Sequence, residues 1–280
     1  VNNVAPASIK RTLVIQAESQ VRLNLRELWP YRDLIFFLAW RDVSVRYKQT
    51  VLGVLWAVIQ PFAAMVIFSV FFGELLGVES GNIPYPLFTY AALLPWQYFS
   101  SALGEIALSL VNNQTLVTKV YFPRLIIPIA SALPPLVDVA IAGLIYLLLM
   151  LLYGVNFTWG LLLLPFFLAL AILTALAFGV WLASLTVVYR DFRYIIQFML
   201  QLWLFASPVM YASSIVPTTW RPLYSLNPMV SVIDGFRWAL LGAESPALIP
   251  LAVSVAVVLS MLAGGLYFFR RIEGSFADVI

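Results

Sequence analysis

Long apolar runs alternate with short polar or basic stretches along the whole chain. Windows of about 20 apolar residues, the length a helix needs to cross hydrocarbon, fall at 54–73, 87–111, 125–153, 160–188, 194–212 and 248–269, which predicts six transmembrane helices. The second, third and fourth runs exceed what a bilayer requires, so they are expected to tilt, bend or project into water, with Pro95, Pro134, Pro135 and Pro165 as bend points. The fifth is short and ends at Pro208. The first fifty residues are polar to amphipathic with no secretory-leader core, so the first long apolar run is expected to act as an uncleaved span.

Between these runs the basic residues are unevenly shared. Lys10, Arg11, Arg22, Arg26, Arg32, Arg41, Arg46 and Lys48 precede the first run, Lys119 and Arg124 follow the second, Arg190 and Arg193 follow the fourth, and Arg270 and Arg271 follow the sixth. An odd number of crossings separates all of these from Arg221 and Arg237, and basic residues resist translocation. Both termini are therefore expected in the cytoplasm, with 74–86, 154–159 and 213–247 outside.

Residues 31–50 mix apolar and charged side chains within every helical turn, and Leu34, Phe37, Leu38 and Arg41 follow helical spacing. With Trp40 and Tyr47 suited to the headgroup layer, this stretch is expected to be an amphipathic helix lying in the interface and contacting membrane lipids. Its cations either anchor the segment on anionic lipid or also meet the phosphates of a lipid-linked substrate. The loop 112–124 is amphiphilic and too long for a tight turn, which suits a contact with another chain, unless it packs on its own subunit. In the outer segment 213–247, the stretch 229–241 is apolar yet too short to cross, so short re-entrant or interfacial helices are expected. Asp234 and Arg237 stand three apart and would pair on one helix face.

Glu105 and Asp138 fall inside expected spans, where an ionised group costs about 2.5–3.5 kcal/mol on insertion scales. Each should face the bundle interior, a partner or water, as a polar helix contact or as part of a proton relay. The aromatic cluster Tyr90, Trp96, Tyr98 and Phe99 around Pro95 would suit a glycan pathway, since ring faces stack on sugars.

Composition narrows the chemistry. Apolar residues make up 62% of 280 positions and charged residues 10%, with a mean hydropathy of +0.95, values no water-exposed surface sustains. The net charge of +3 sits in separate clusters and not on one broad face, so no nucleic-acid partner is expected. The chain has neither cysteine nor histidine, which removes thiol chemistry and most metal centres. No catalytic residue and no metal site is expected. No lysine follows closely spaced glycines and precedes Ser or Thr, so there is no phosphate-binding loop.

Several strings carry a resemblance when taken in order. Trp40-Arg41-Asp42, Arg46-Tyr47-Lys48-Gln49-Thr50, Leu52-Gly53, Trp56 and Pro61 come first, followed by Leu94-Pro95-Trp96 and the loop from Leu116 to Arg124. Tyr189-Arg190-Asp191-Phe192-Arg193, Ser207-Pro208 and Tyr224-Ser225-Leu226-Asn227-Pro228-Met229 leading to Gly235-Phe236-Arg237 complete the set. Together, from about residue 30 to 243, they resemble ABC-2 type permeases that export O-antigen, capsular polysaccharide or teichoic acid.

The resemblance implies an all-α integral membrane fold of the ABC-2 (type V exporter-like) kind. Its parts would be an N-terminal segment (1–30), the interfacial helix (31–50), a six-helix transmembrane domain (51–270) and a cytoplasmic tail (271–280). It also implies a homodimer in the bacterial inner membrane, joined by two ATP-binding cassette ATPase subunits that carry the ATP and magnesium, with no cofactor on this chain. The cargo would be a polyprenyl-linked polysaccharide. Arg41, Asp42, Arg46, Lys48, Thr118, Lys119, Tyr121 and Arg124 would contact the ATPase; Tyr90, Trp96, Tyr98 and Phe99 would line the channel. Trp220, Asp234, Arg237 and Trp238 would belong to the extracytoplasmic gate. Rival readings are an ABC-2 permease for a drug or simple lipid, an integral-membrane glycosyltransferase or lipid phosphatase, and a proton-coupled carrier using Glu105 and Asp138.

Overall fold

The structure, a computed structural model, describes residues 25–48, 53–81, 83–156 and 158–276. Residues 1–24, and Gln49, Thr50 and Leu52 of the first string, lie outside that description. Among the described residues there are helices, turns and bends and no strand. In chain order the helices are α1 (Arg32–Lys48), α2 (Gly53–Phe68), α3 (Tyr85–Asn112), α4 (Gln114–Lys119), α5 (Ile126–Ser131), α6 (Pro134–Leu152), α7 (Leu164–Val188), α8 (Phe192–Phe205), α9 (Arg221–Tyr224), α10 (Pro228–Leu241) and α11 (Leu248–Ile272). Short 3-10 turns precede α1 and α7 and follow α11, and a π-helical turn, Ser69–Leu75, extends α2.

Among the described residues, four stretches are long and apolar enough to cross a membrane: Leu55–Leu75, Ile126–Leu152, Trp159–Val188 and Leu248–Ile272. Helix α3 has the length, 28 residues, but its surface carries more polar side chains. Helix α8 has only 14 residues, about 21 Å of rise against a hydrocarbon core of about 30 Å. The apolar run to residue 212 predicts a longer helix. It stops at Phe205 because Pro208 supplies no N–H and disfavours helical geometry just before it.

Of the expected bend points, Pro134 and Pro135 interrupt their segment at Ala132 and Leu133, splitting it into α5 and α6. Pro165 sits in the first turn of α7, where its missing N–H costs nothing, and Pro95 lies inside an unbroken α3.

Helix α3 is the central post, packed against α2, α5, α6, α7, α8 and α10. At its crossing with α7, a Cβ on Gly179 would lie 2.5 Å from the Ile106 side chain, so glycine permits the approach. The main core groups Leu87, Tyr90, Phe99, Leu103, Ile106, Phe167, Ala175, Met229 and Phe236 around this post. A second core at the end bearing α1 joins Leu28, Leu38, Leu110, Val117, Phe122, Leu125, Val187, Phe269 and Phe276, and so ties α4 and α5 to both ends of the described chain. We call this the basic end.

Candidate functional site

Helix α1 has apolar side chains on two sides. Leu38 is buried in the second core and Ala39 is buried beside it in sequence, while Phe36, Phe37 and Trp40 are exposed, with the Phe36 and Trp40 rings stacked at 6.4 Å. One face thus grips protein and the other is left for lipid, so a simple apolar/polar division does not describe the helix. Midway along it, Arg41 bonds Asp42 Oδ1 at 2.8 Å and Asn113 Oδ1 at 2.9 Å, linking α1 to the end of α3.

The last turn of α1 supplies the tightest cluster of charge. The Arg46 guanidinium bridges Glu105 of α3 and Asp138 of α6, and the Tyr47 hydroxyl donates to the second oxygen of Asp138. Here the two carboxylates that the sequence places in expected spans find a shared cation, the polar partner that such groups need. The three charged side chains keep 33%, 30% and 27% of their surface, so this chain alone does not seal them. Burial first, and then the Asp138 carboxylate, hold the Tyr47 phenol well above its usual range, so at neutral pH it remains a donor.

Arg124 is likewise occupied, donating to the backbone carbonyl of Glu273 in the tail. Arg270 bonds Glu273 Oε1 at 3.0 Å and lies 3.5 Å from Glu27, and Phe276 is buried against Phe269. The loop around α4 is therefore braced from beneath by Val117 and Phe122 and from the side by the tail. Thr118, Lys119 and Tyr121 face outward from it, Tyr121 with 75% of its surface free. Lys48 is exposed at the end of α1. The residues expected to meet an ATPase thus divide: Thr118, Lys119, Tyr121 and Lys48 are presented on the surface, whereas Arg46 and Arg124 are engaged inside the chain.

The expected aromatic channel set lies elsewhere. Tyr90, Tyr98 and Phe99 are fully buried and Trp96 nearly so, all in the main core of this one chain. Leu136 bonds back to Leu133 at the proline break, which frees the Ala132 carbonyl to accept from the Tyr98 hydroxyl at 3.1 Å. Tyr90 donates to Ala142 at 3.3 Å and stacks on Tyr146, and Phe99 meets Trp203 edge-on. These rings fasten helices together and line no surface of the protomer. What α3 leaves open between Trp96 and Ile106 is mostly polar: Gln97, Ser100, Ser101 and Glu105.

At the far end, Arg237 retains 3% of its surface. It makes no ion pair with Asp234 among the described residues; instead it donates to the carbonyls of Phe88 at 3.2 Å, Tyr211 at 3.1 Å and Val209 at 2.9 Å and lies over the Phe88 ring. Those acceptors include the turn that follows α8, where the helix has ended and its carbonyls need donors. Removal from water pulls the Arg237 pKa down to about 10 against the pull of nearby Asp234, and it stays cationic at neutral pH.

Asn227 is the second fastening there. It caps α10 by accepting from Met229 N, accepts from Trp203 Nε1 at 2.9 Å, and donates to Ala206 O and Ser207 Oγ. The Ser207-Pro208 and Leu226-Asn227-Pro228 strings, 20 residues apart, thus meet through one amide. The expected gate residues do not gather. Trp220 is exposed on the wall of an open, largely apolar cavity of about 630 Å³ beside Trp203 and Tyr224, whereas Trp238 packs on Phe167. Sequence alone marks Tyr47 only as a headgroup-layer residue and part of a string, and Asn227 only as part of another, so the bonds that both make come from the fold, and Glu273 is not singled out at all.

Comparison with known proteins accords with this architecture. A match to the ABC-2 type transporter family covers residues 33–241. The chain is 33% identical to the O-antigen export system permease protein RfbA of Myxococcus xanthus, across 91% of this chain and 98% of that protein. It is 24% identical to the RfbA permease of Klebsiella pneumoniae, across 93% and 99%, and 26% identical to the polysialic acid transport protein KpsM of Escherichia coli, across 83% and 91%. With an all-helical, lipid-suited bundle and a family match over most of its length, the chain belongs to the ABC-2 type transporter family.

Proposed function

We propose that this chain is the permease subunit of an ATP-driven exporter that moves a lipid-linked polysaccharide of the O-antigen kind across the bacterial inner membrane. The observation that carries the reading is the end-to-end similarity to an O-antigen export permease. Six crossings follow if α2 with its π turn, α3, α5 with α6, α7, α8 with the turn after it, and α11 each span, and the basic end then lies in the cytoplasm. Helices α9 and α10 form the outer re-entrant region in this reading, the latter pinned by Arg237.

The braced α4 loop is the surface that would receive a separate ATPase subunit, through Thr118, Lys119 and Tyr121. ATP and magnesium would belong to that subunit, and the chain itself would make and break no covalent bond. Two permease copies would enclose the path, and nucleotide-driven motion of the ATPases would shift them between closed and open forms, because only a difference in affinity between states moves such an equilibrium.

Depletion of the protein in cells that make the polymer tests this directly. Lipid-linked polysaccharide should accumulate on the cytoplasmic face while its surface display falls. Unchanged surface polysaccharide after depletion would overturn the reading.

A further inference from the structure

Apart from the apolar cavity at the far end, the structure holds a second one of different character. It lies where the end of α1 meets α2, α3 and α6, has a volume of about 270 Å³, and is lined by Arg46, Trp56, Gln60, Gln97, Ser101 and Asp138 among others. Gln97, Ser101 and Glu105 stand at i, i+4 and i+8 on α3 and so form one stripe along a single helix face. Gln97 lies about 18 Å from one end of α3 at 1.5 Å per residue, close to its middle, and Glu105 lies beside Arg46 toward the basic end. The stripe therefore leads from that end to mid-height of the bundle.

Among the described residues, the side chains of Gln60, Gln97 and Ser101 have no hydrogen-bond partner. Facing hydrocarbon, each unpaired amide or hydroxyl would cost several kcal/mol. Polar groups at this depth instead face water or a polar ligand. The amides each offer donors and an acceptor, and the serine hydroxyl offers both, which matches a ligand whose own hydroxyls donate and accept. Trp56, with 56% of its surface free, adds an open ring face for a sugar to stack on. Among the described residues, two carboxylates share the Arg46 cation, so these three side chains together carry more negative than positive charge and disfavour an acidic sugar. The cavity is slightly smaller than an ordinary ligand pocket of about 300 Å³ and upward. It suits contact with one ring of a passing chain, not enclosure of a whole ligand.

We propose that this cleft is a contact site for neutral, hydroxyl-bearing sugar units of the exported glycan during passage, which rests on the permease reading above. The buried rings Tyr90, Trp96, Tyr98 and Phe99 hold the cleft's walls in place, and the contact itself falls to Gln60, Gln97, Ser101 and Trp56.

Because the chain contains no cysteine, single substitutions report on it cleanly. Gln97→Cys and Ser101→Cys, in the complete transporter in inside-out membrane vesicles, should react with a charged, membrane-impermeant thiol reagent. Leu144→Cys on the apolar outer surface of α6 should not. Labelling at 97 and 101 should be slowed in vesicles from cells that make the polysaccharide relative to cells blocked in its synthesis. Gln60→Leu combined with Gln97→Leu should cause a loss of surface polysaccharide while the amount of folded protein is unchanged. Thiols that stay unreactive would show the cleft covered by lipid or by a second copy of the chain, and equal labelling in both vesicle types would show no glycan contact. Either result overturns the site. If surface polysaccharide still appears in that case, the permease reading stands without it.

Discussion

Arg46 and Arg237 are both held inside the helical bundle, and their partners could hardly differ more. Arg46 at the basic end bridges two carboxylates on separate helices and keeps a third of its side-chain surface open. Arg237 at the far end has almost no surface and is satisfied by three backbone carbonyls and an aromatic face. A carbonyl cage is neutral and rigid, and it exists only while the chain turns as it does after α8. A carboxylate bridge between half-exposed side chains can open and close against solvent. The difference suggests that the far end is stapled, whereas the basic end, where α1, α3 and α6 meet, can rearrange at modest cost.

The largest expected effect comes from breaking the staple. Arg237→Met strands the two buried turn carbonyls of Val209 and Tyr211, each worth about 1–3 kcal/mol when left unserved, and removes a further bond to Phe88, so a loss of at least about 2 kcal/mol is expected. Thermal unfolding in detergent should show it, together with a sharp fall in the amount of folded protein. Arg237→Lys keeps the charge but not the planar fork, and should recover only part of the loss. A variant that unfolds like the native chain would remove the distinction between the two ends.

Asn227→Ala should come next, because it deletes a helix cap and the amide that binds α8 to α10. A cost of about 2 kcal/mol follows from a lost cap plus side-chain bonds. Asn227→Asp separates the two contributions: it keeps the cap and the Trp203 bond but loses the donors to Ala206 and Ser207, and should lie between native and alanine in thermal midpoint.

Breaking the Arg46 bridge should cost less. Solvent screening of a partly exposed pair limits the loss for Arg46→Gln to about 1 kcal/mol. A double-mutant cycle with Asp138→Asn should show that the two effects are not additive, since either change alone leaves its partner without the bridge. Additive losses would mean that the bridge contributes nothing of its own.

The comparison also explains what could be read from the chain beforehand. Among the described residues, apolar run lengths located the long apolar helices, because burial in lipid imposes one simple rule on composition. Glu105 and Asp138 stood out for the same reason, as charges where charge is costly, and their demand for a polar partner was legible. The partner was not, because Arg46 lies 59 residues from Glu105 and 92 from Asp138, and only the folded path of α1 joins them. Arg237 was paired with Asp234 by helical spacing, yet its actual partners are a carbonyl of α3 and two carbonyls of the turn after α8, which no residue type announces. The aromatic set around Pro95 was misplaced for a related reason. Tyrosine in an apolar run suits either a wet pathway or a buried joint, and the carbonyl at Ala132 that decides for the joint arises from a proline break 34 residues away. Polar spacing of four on α3 was the more informative pattern for an exposed face.

The smallest effect on stability is expected at the α4 loop, which makes it the sharpest test of the division between fastened and working parts. Lys119 and Tyr121 touch solvent and carry no ion pair or cap among the described residues, so Lys119→Ala and Tyr121→Ala should change stability by no more than about 0.5 kcal/mol. Their support comes from elsewhere: Val117 and Phe122 sit in the second core, and Arg124 is tied to the tail. A rigid mount carrying unpartnered side chains is the arrangement a docking surface needs, because little conformational freedom remains to be lost on binding. In reconstituted complexes both variants should therefore insert and fold normally while export falls and hydrolysis becomes insensitive to the permease. Arg124→Ala should produce the same uncoupling by a different route, loosening the mount instead of removing a contact. Its defect should be accompanied by faster proteolysis of the tail, which the two surface variants should not show. Full export and normally stimulated hydrolysis in all three would place the ATPase contact on another part of the basic end.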